Sequence, residues 1–243
     1  MTYLLDVSVR WEDVVDRDAH PFDVPAIARL GQLDLDAAVT FFVGPNGSGK
    51  STLLEAIAVH QGMSGEGGSQ NMDISTTDRA VSTLHEHVVV SRSGSPRTRF
   101  FLRAESFFNV ATAIDGYGVT QAYGGSLHER SHGESFLDLV GHRFTPDGLY
   151  LLDEPEAALS IHGLLRLIVA MDDLVRAGSQ FLIATHSPVL MAFPGAVIYE
   201  FGEEGVARVD WENVDTVHLT RSFLEGPGRF LGQLFERPSD PQG

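Results

Sequence analysis

The residues Gly44–Ser51, which read GPNGSGKS, constrain the fold more than any other part of this sequence. They match the pattern G-x-x-x-x-G-K-[ST], in which glycines allow a tight loop whose backbone N–H groups converge on phosphate oxygens. The pattern is meaningful where a strand precedes the loop and a helix follows it. Both are predicted here, because residues 38–43 are β-branched and aromatic and residues 51–60 have apolar side chains at helical spacing. The sequence therefore predicts a phosphate-binding loop in an α/β protein.

The side chains of this loop have predicted roles. Lys50 is expected to reach the β- and γ-phosphates of a nucleotide, and the Ser51 hydroxyl to ligate Mg²⁺. The N-terminus of the following helix adds partial positive charge. We expect ATP to lie against the whole loop, which comprises Gly44, Pro45, Asn46, Gly47, Ser48, Gly49, Lys50, Ser51 and Thr52.

Two adjacent carboxylates end an apolar run further along the chain. The stretch GLYLLDE, at 148–154, reads as a buried strand that leads into Asp153 and Glu154. Burying carboxylates is costly unless they meet cations. We expect Asp153 to hold Mg²⁺ directly or through water, and Glu154 to act as general base on the attacking water. The alternative is a pair of solvated acids at the end of a strand.

A histidine follows the next buried strand. The stretch QFLIAT, at 180–185, leads into His186. A lone histidine is often a structural or surface residue. At the carboxyl edge of a parallel strand, however, it lies where open α/β sheets bind their ligands. We interpret His186 as a hydrogen-bond donor to the γ-phosphate.

These motifs together resemble those of the ATP-binding-cassette (ABC) ATPases. GPNGSGKST resembles the Walker A motif, LYLLDEPE the Walker B motif with its catalytic glutamate, EAALS the D-loop and ATHSP the switch histidine. The sequences THSP and DEPEAALS resemble those of the SMC/RecF-like branch and of small bacterial ATPases more closely than those of transporter subunits. The resemblance implies a P-loop α/β fold, with a mostly parallel sheet flanked by helices and an added antiparallel β portion. It also implies ATP hydrolysis with Mg²⁺ and an ATP-dependent homodimer.

The family carries a further motif, Leu-Ser-Gly-Gly-Gln, shortly before Walker B, which binds the γ-phosphate of ATP held by the opposite subunit. Here Ser131 and Gly133 match it, whereas His132 and Glu134 depart from it. The same residues form S-x-x-E, a capping box in which Ser131 begins a helix. A capped helix N-terminus favours anions. We therefore expect Ser131, Gly133 and Glu134 to contact the nucleotide of a second copy.

A zinc-protease motif overlaps this stretch. The residues His128–His132 satisfy H-E-x-x-H, which requires both histidines on one face of a continuous helix. Glycines surround the motif, and the capping box starts the helix at Ser131. His128 is then expected to precede the helix, which disfavours the zinc site.

Three weaker candidates complete the predicted site. Glu105 is the nearest polar residue to the position where the family has a glutamine that contacts Mg²⁺ and water, and it could equally be a helix N-terminal acid. Phe22 is a candidate for stacking on adenine, although core packing is the stronger interpretation. Arg29 is a candidate neighbour of the base or the phosphates.

Composition restricts the partners and the cellular location that we expect for this protein. The net charge of −16 disfavours indiscriminate binding to nucleic acid, the chain has no cysteine, and no apolar run reaches the length of a membrane span. We expect a cytoplasmic protein without a signal peptide. The alternatives left open are the nucleotide-binding subunit of a transporter and an ATP-gated clamp on DNA or on an effector protein.

The predicted organisation is a single ATP-binding domain over 1–236 and a flexible tail over 237–243. Inside the domain we expect a mobile loop at 61–79 and a short helical region with the signature motif at about 105–140, beginning with a helix at 105–114. We also expect β-hairpins at about 87–104 and at 196–211, and a C-terminal helix pair broken at 225–228.

Overall fold

A computed structural model of the chain describes residues 2–65, 68–69, 82–105 and 132–235. The strands are β1 Leu4–Val9, β2 Leu33–Asp34, β3 Val39–Val43, β4 Gly68–Ser69, β5 Val88–Arg92, β6 Thr98–Arg103, β7 Gly148–Asp153, β8 Gln180–Ala184, β9 Val197–Gly202 and β10 Gly205–Val209. The α-helices are α1 Pro25–Ala28, α2 Lys50–His60, α3 Leu84–His87, α4 His132–Arg143, α5 Ile161–Arg176, α6 Pro188–Met191, α7 Asp215–Glu225 and α8 Pro227–Phe235. Short 3₁₀ turns cover Trp11–Asp13, Pro155–Ala158 and Trp211–Asn213.

The main sheet has the order β10-β9-β3-β8-β7-β6-β4. The five central strands, from β9 to β6, are parallel, and β10 and β4 are antiparallel to their neighbours. Every residue of β3, β7 and β8 is buried, as expected of parallel strands covered on both faces. This confirms the predicted α/β fold with a mostly parallel sheet and an antiparallel portion.

Helices cover both faces of the main sheet. On one face, α4 and α5 pack against the sheet through apolar side chains such as Phe136 and Leu167. On the other face, α2 packs through Leu53 and Ile57. The same core receives the second sheet, which has the order β2-β1-β5 and is antiparallel throughout.

Gln180 fastens the two sheets together. Its side chain lies on β8, is fully buried, and accepts hydrogen bonds from the backbone N–H groups of Tyr3 and Leu4 at 2.8 and 2.9 Å. Its amide group donates to the carbonyls of Leu4 and Leu35. A single buried amide therefore satisfies backbone groups at the start of β1 and after β2, which would otherwise be buried without partners.

The predicted hairpin at 87–104 is wrong. β5 pairs with β1 in the small sheet, where Val90 lies opposite Val7, whereas β6 pairs in parallel with β7, where Phe100 lies opposite Tyr150. The burial patterns explain the separation. β5 alternates between buried and exposed positions at its start, but β6 buries three consecutive residues, which is typical of an inner parallel strand.

Other predictions have mixed outcomes. The hairpin at 196–211 is confirmed as β9 and β10, and the C-terminal helix pair is confirmed as α7 and α8, with Gly226 between them. The predicted loop at 61–79 is wrong at residues 68–69, because β4 pairs there with β6. The rest of that loop beyond residue 65, the helix predicted at 105–114 apart from its first residue, and the tail over 237–243 lie outside the described residues. Among the described residues, no helix combines the length and apolar character required to cross a bilayer.

Candidate functional site

The loop between β3 and α2 adopts the geometry that its glycines allow. Gly44 has φ of 135°, and a Cβ atom at this position would lie 2.3 Å from the carbonyl oxygen of Phe201 on β9. Gly49 has φ of 98° and directly precedes α2, whose first residue is Lys50. A side chain at Gly44 would push the loop off the sheet, so glycine is required there by close approach as well as by its backbone conformation.

Lys50 lies in the curve of this loop. Its side chain is almost fully buried, and Nζ donates hydrogen bonds to the carbonyls of Gly44 and Pro45 at 2.9 and 2.8 Å. Burial lowers the pKa of Lys50, and the nearby carboxylates of Glu154 and Asp153 offset only part of this effect. The ammonium group is therefore held where the loop's N–H groups are expected to gather phosphate oxygens.

Ser51 and Asp153 are in direct contact. The Ser51 hydroxyl donates to Oδ1 of Asp153 at 2.7 Å, and Asp153 is buried at the end of β7. A hydroxyl and a carboxylate fit Mg²⁺, which takes oxygen ligands and is commonly bound by one or two protein groups plus substrate phosphates and water. No cluster of three or more histidines and carboxylates that could hold a metal is present within the described ranges. The pair therefore suits a metal that arrives with a phosphate ligand.

Arg103, at the end of β6, is part of this site and was missed by the sequence reasoning. Its Nε donates to Oδ2 of Asp153 at 3.0 Å, and its Nη1 donates to Oε2 of Glu55 on α2 at 2.8 Å. Burial lowers the pKa of Arg103, but Asp153 and Glu55 together raise it above its usual value. The available signal was a charged residue at the carboxyl end of the apolar run FFL, one strand away from Asp153.

Glu154 has an unusual backbone conformation. Its φ of 49° and ψ of 50° are left-handed, and it is one of two non-glycine residues with positive φ among those described. This conformation costs roughly 1–2 kcal/mol for a residue with a Cβ atom. Such strain is found preferentially at functional sites. The turn aims the half-exposed carboxylate toward His186, whose Nε2 lies 3.4 Å from Oε1 of Glu154.

Glu156 fixes the backbone at His186. Its Oε1 accepts a hydrogen bond from the backbone N–H of His186 at 2.5 Å. The next residue, Ser187, caps α6 by accepting from the N–H of Leu190. His186 is therefore held between a carboxylate that follows β7 and a helix cap that follows β8.

These side chains share one cavity. A pocket of about 200 Å³ is lined by Ser51, Arg103, Glu105, Asp153 and Glu154, together with alanines. Glu105 is exposed and borders the cavity, and its role beside a metal stays a prediction. The structure thus brings the predicted metal ligands and the predicted general base to one edge of the sheet.

Two of the weaker candidates lie away from the cavity. Phe22 is buried and packs edge-on against Trp11 and His87, with ring centroids 6.1 and 5.2 Å apart, which supports core packing over adenine stacking. Arg29 donates to the carbonyl of Glu203 and lies 3.7 Å from the carboxylate of Glu204, in the turn between β9 and β10.

The signature stretch, which comprises residues 131–134, is described in part. As described, α4 begins at His132, in agreement with a helix start at this point, and Glu134 lies in its first turn. A Cβ atom on Gly133 would lie 3.1 Å from the carbonyl oxygen of Ala158, so the first turn of α4 packs against the Pro155–Ala158 turn. Ser131 and His128 lie outside the described residues. The capping box therefore stays a prediction, and so does the expectation that the H-E-x-x-H residues do not form a zinc site.

Residues 26–100, which contain the loop and α2, match the family described as AAA domain. The carboxylates of Asp153 and Glu154 and the imidazole of His186 lie outside the matched residues. The family match and the motifs together support a P-loop ATPase domain.

The chain is also similar to solved structures. It has 16% identity to the SMC head domain from Thermotoga maritima, with a TM-score of 0.47, over 86% of this chain and 98% of that one. It has 15% identity to cbiO1 from Clostridium perfringens, part of the ABC transporter complex cbiONQ, with a TM-score of 0.48, over 85% and 91% of the two chains. No curated protein matches the sequence.

Proposed function

We propose that this domain binds ATP with Mg²⁺ and hydrolyses it to ADP and phosphate. The observation that carries the proposal is the 2.7 Å contact between Ser51 and Asp153, with Lys50 directly before Ser51 in the chain and Glu154 on the same cavity. Phosphoryl transfer to water requires mainly positioning and the neutralisation of charge. The site contains a group for each of these requirements.

The roles follow from where each group lies. Lys50 binds the β- and γ-phosphates, and Ser51 and Asp153 hold Mg²⁺. When bound, Mg²⁺ neutralises charge that develops on the phosphate oxygens. The Glu154 carboxylate accepts a hydrogen bond from the attacking water, whose oxygen bonds to the γ-phosphorus as the bond to the ADP oxygen breaks. His186, next to Glu154, donates a hydrogen bond to the γ-phosphate.

We propose further that two copies associate head-to-tail when ATP is bound. Support comes from the first turn of α4, where Gly133 packs against Ala158 in the turn that directly follows Glu154. Gly133 belongs to the stretch that resembles the signature motif, and Ala158 to the stretch that resembles the D-loop. Ser131, Gly133 and Glu134 would then contact the phosphates held by Lys50 of the other copy. Closure on ATP and opening after hydrolysis are the movements available to drive a partner molecule in the cytoplasm.

The test of this function is Glu154→Gln, which keeps the size of the side chain and removes its ability to accept the proton. We expect ATP turnover to fall by roughly 100-fold or more, in the range typical of a lost general base. We also expect a dimer with trapped ATP in size-exclusion chromatography with light scattering. The matched control is Lys50→Ala, which should neither retain ATP nor dimerise. Wild-type turnover in the Glu154 variant would remove this residue from the mechanism.

A further inference from the structure

Arg103 lies between two carboxylates at the centre of the metal site. The guanidinium group bonds to Asp153 on one side and to Glu55 on the other, at 3.0 and 2.8 Å. The exposed fractions of the three side chains are 13% for Arg103, 13% for Glu55 and 6% for Asp153. Because water is largely excluded, these charges interact more strongly than they would on the surface.

The two cations of the site engage different partners. Lys50 donates to carbonyl groups of its own loop, whereas Arg103 donates to the carboxylate that is expected to hold the metal. On Asp153 itself, Arg103 engages Oδ2 and Ser51 engages Oδ1. Oδ1 faces Ser51 and is therefore the oxygen that could share a metal with the Ser51 hydroxyl, while Arg103 orients the carboxylate through Oδ2.

We propose that Arg103 is the resident counter-cation of the magnesium site, a positioning residue that opposes binding of a bare divalent ion to Asp153. The proposal rests on the function proposed above for Asp153. A guanidinium and a divalent ion that share one carboxylate repel each other. The phosphates of ATP add both negative charge and oxygen ligands, so they offset this repulsion. The metal then binds together with the nucleotide rather than before it.

The counter-cation role predicts a gain of metal binding when Arg103 is removed. In Arg103→Gln, Asp153 and Glu55 keep their charges and lose the cation between them. We expect the affinity for bare Mn²⁺ to rise by about tenfold or more, given the strength of charge interactions at such partly buried sites. A purely structural role for Arg103 predicts the opposite, because a disordered site binds metal less well.

The experiment is a titration of Mn²⁺ without nucleotide, followed by the electron paramagnetic resonance signal of the free ion. Arg103→Lys keeps the charge and should bind Mn²⁺ as weakly as wild type. Arg103→Gln/Asp153→Asn should lose the gain, which assigns it to Asp153. Should Arg103→Gln fail to fold, the comparison moves to Arg103→Gln/Glu55→Gln against Glu55→Gln. The double variant keeps the net charge of the wild-type site, because one cation and one carboxylate are removed together.

The outcomes separate this proposal from the proposed function. Equal or weaker Mn²⁺ binding in the folded variant lacking Arg103 overturns the counter-cation role. A gain of about tenfold supports it. Since no nucleotide is present in the titration, a wild-type chain that fails to bind ATP in a separate assay would overturn the ATPase function while the Mn²⁺ result still decides the role of Arg103.

Discussion

The hydroxyl of Ser51 and the carboxylate of Asp153, which are 102 residues apart in sequence, are joined by a hydrogen bond of 2.7 Å. The strand order produces this contact. β3, which precedes the phosphate loop, and β7, which ends in Asp153, are the two neighbours of β8 in the sheet. Because all three strands are parallel, their carboxyl ends meet at one edge, which is where open α/β sheets bind ligands.

Removing the Ser51 hydroxyl should weaken the binding of Mg²⁺ during ATP turnover. In Ser51→Ala, one of the two protein oxygens proposed for Mg²⁺ is lost, while Asp153 keeps its contact with Arg103. We expect the Mg²⁺ concentration for half-maximal ATP turnover to rise by about tenfold or more, as for other losses at metal sites. The internal control is ATP affinity in excess chelator, which should hardly change. An unchanged Mg²⁺ requirement would exclude Ser51 as a ligand.

Lys50 gives the site a predictable dependence on pH. The phosphates favour the protonated amine, and burial holds the pKa of free Lys50 below its usual value. As pH rises through that lowered pKa, ATP binding must take up a proton, so affinity falls. We expect the decline to begin at a lower pH than for an ordinary lysine and to be steeper than in Lys50→Arg, whose guanidinium stays protonated.

The measurement for Lys50 is isothermal titration calorimetry at several pH values above roughly 8, in buffers with different ionisation enthalpies. Proton uptake on binding should appear in the wild-type chain and vanish in Lys50→Arg. Affinity that stays flat over the whole alkaline range in wild type would show that the Lys50 amine does not contact the phosphates.

Gln180 is expected to contribute strongly to stability. Replacing it by leucine keeps the volume but leaves the backbone groups of Tyr3, Leu4 and Leu35 without their side-chain partner. Each unsatisfied buried group costs about 1–3 kcal/mol, so we expect a loss of at least about 2 kcal/mol. Urea unfolding measures this loss. The matched control is Gln32→Leu at an exposed position, and equal stability of the two variants would contradict the role of Gln180.

The parts of the site that the sequence predicted are those fixed by local chemistry. Gly44 to Ser51 must turn tightly between a strand and a helix, and an apolar strand that ends in Asp153 and Glu154 requires cations nearby. If the strands are parallel, these groups meet at one edge of the sheet. The contact between Ser51 and Asp153 agrees with that prediction.

The parts that sequence reasoning missed depend on pairing between distant segments. β5 and β6 are separated by a short turn and read as a hairpin, but their partners are β1 and β7. Placing β6 beside β7 is what brings Arg103 level with Asp153. The role of Arg103 could not be predicted while β6 was assigned to a hairpin, because its neighbour across the sheet was then the wrong strand.

The central claim is that a nucleotide on Lys50 is completed by Ser131 of a second copy, and mixing two inactive variants tests it directly. Lys50→Ala removes the phosphate-binding amine, and Ser131→Tyr blocks the signature stretch. A mixed dimer contains one site with both defects and one intact site. Since neither variant forms a complete site with a second copy of itself, we predict that only the mixed dimer turns over ATP and that the mixture is far more active than either variant alone. Turnover in the mixture no higher than the average of the two separate variants would contradict a site shared between copies.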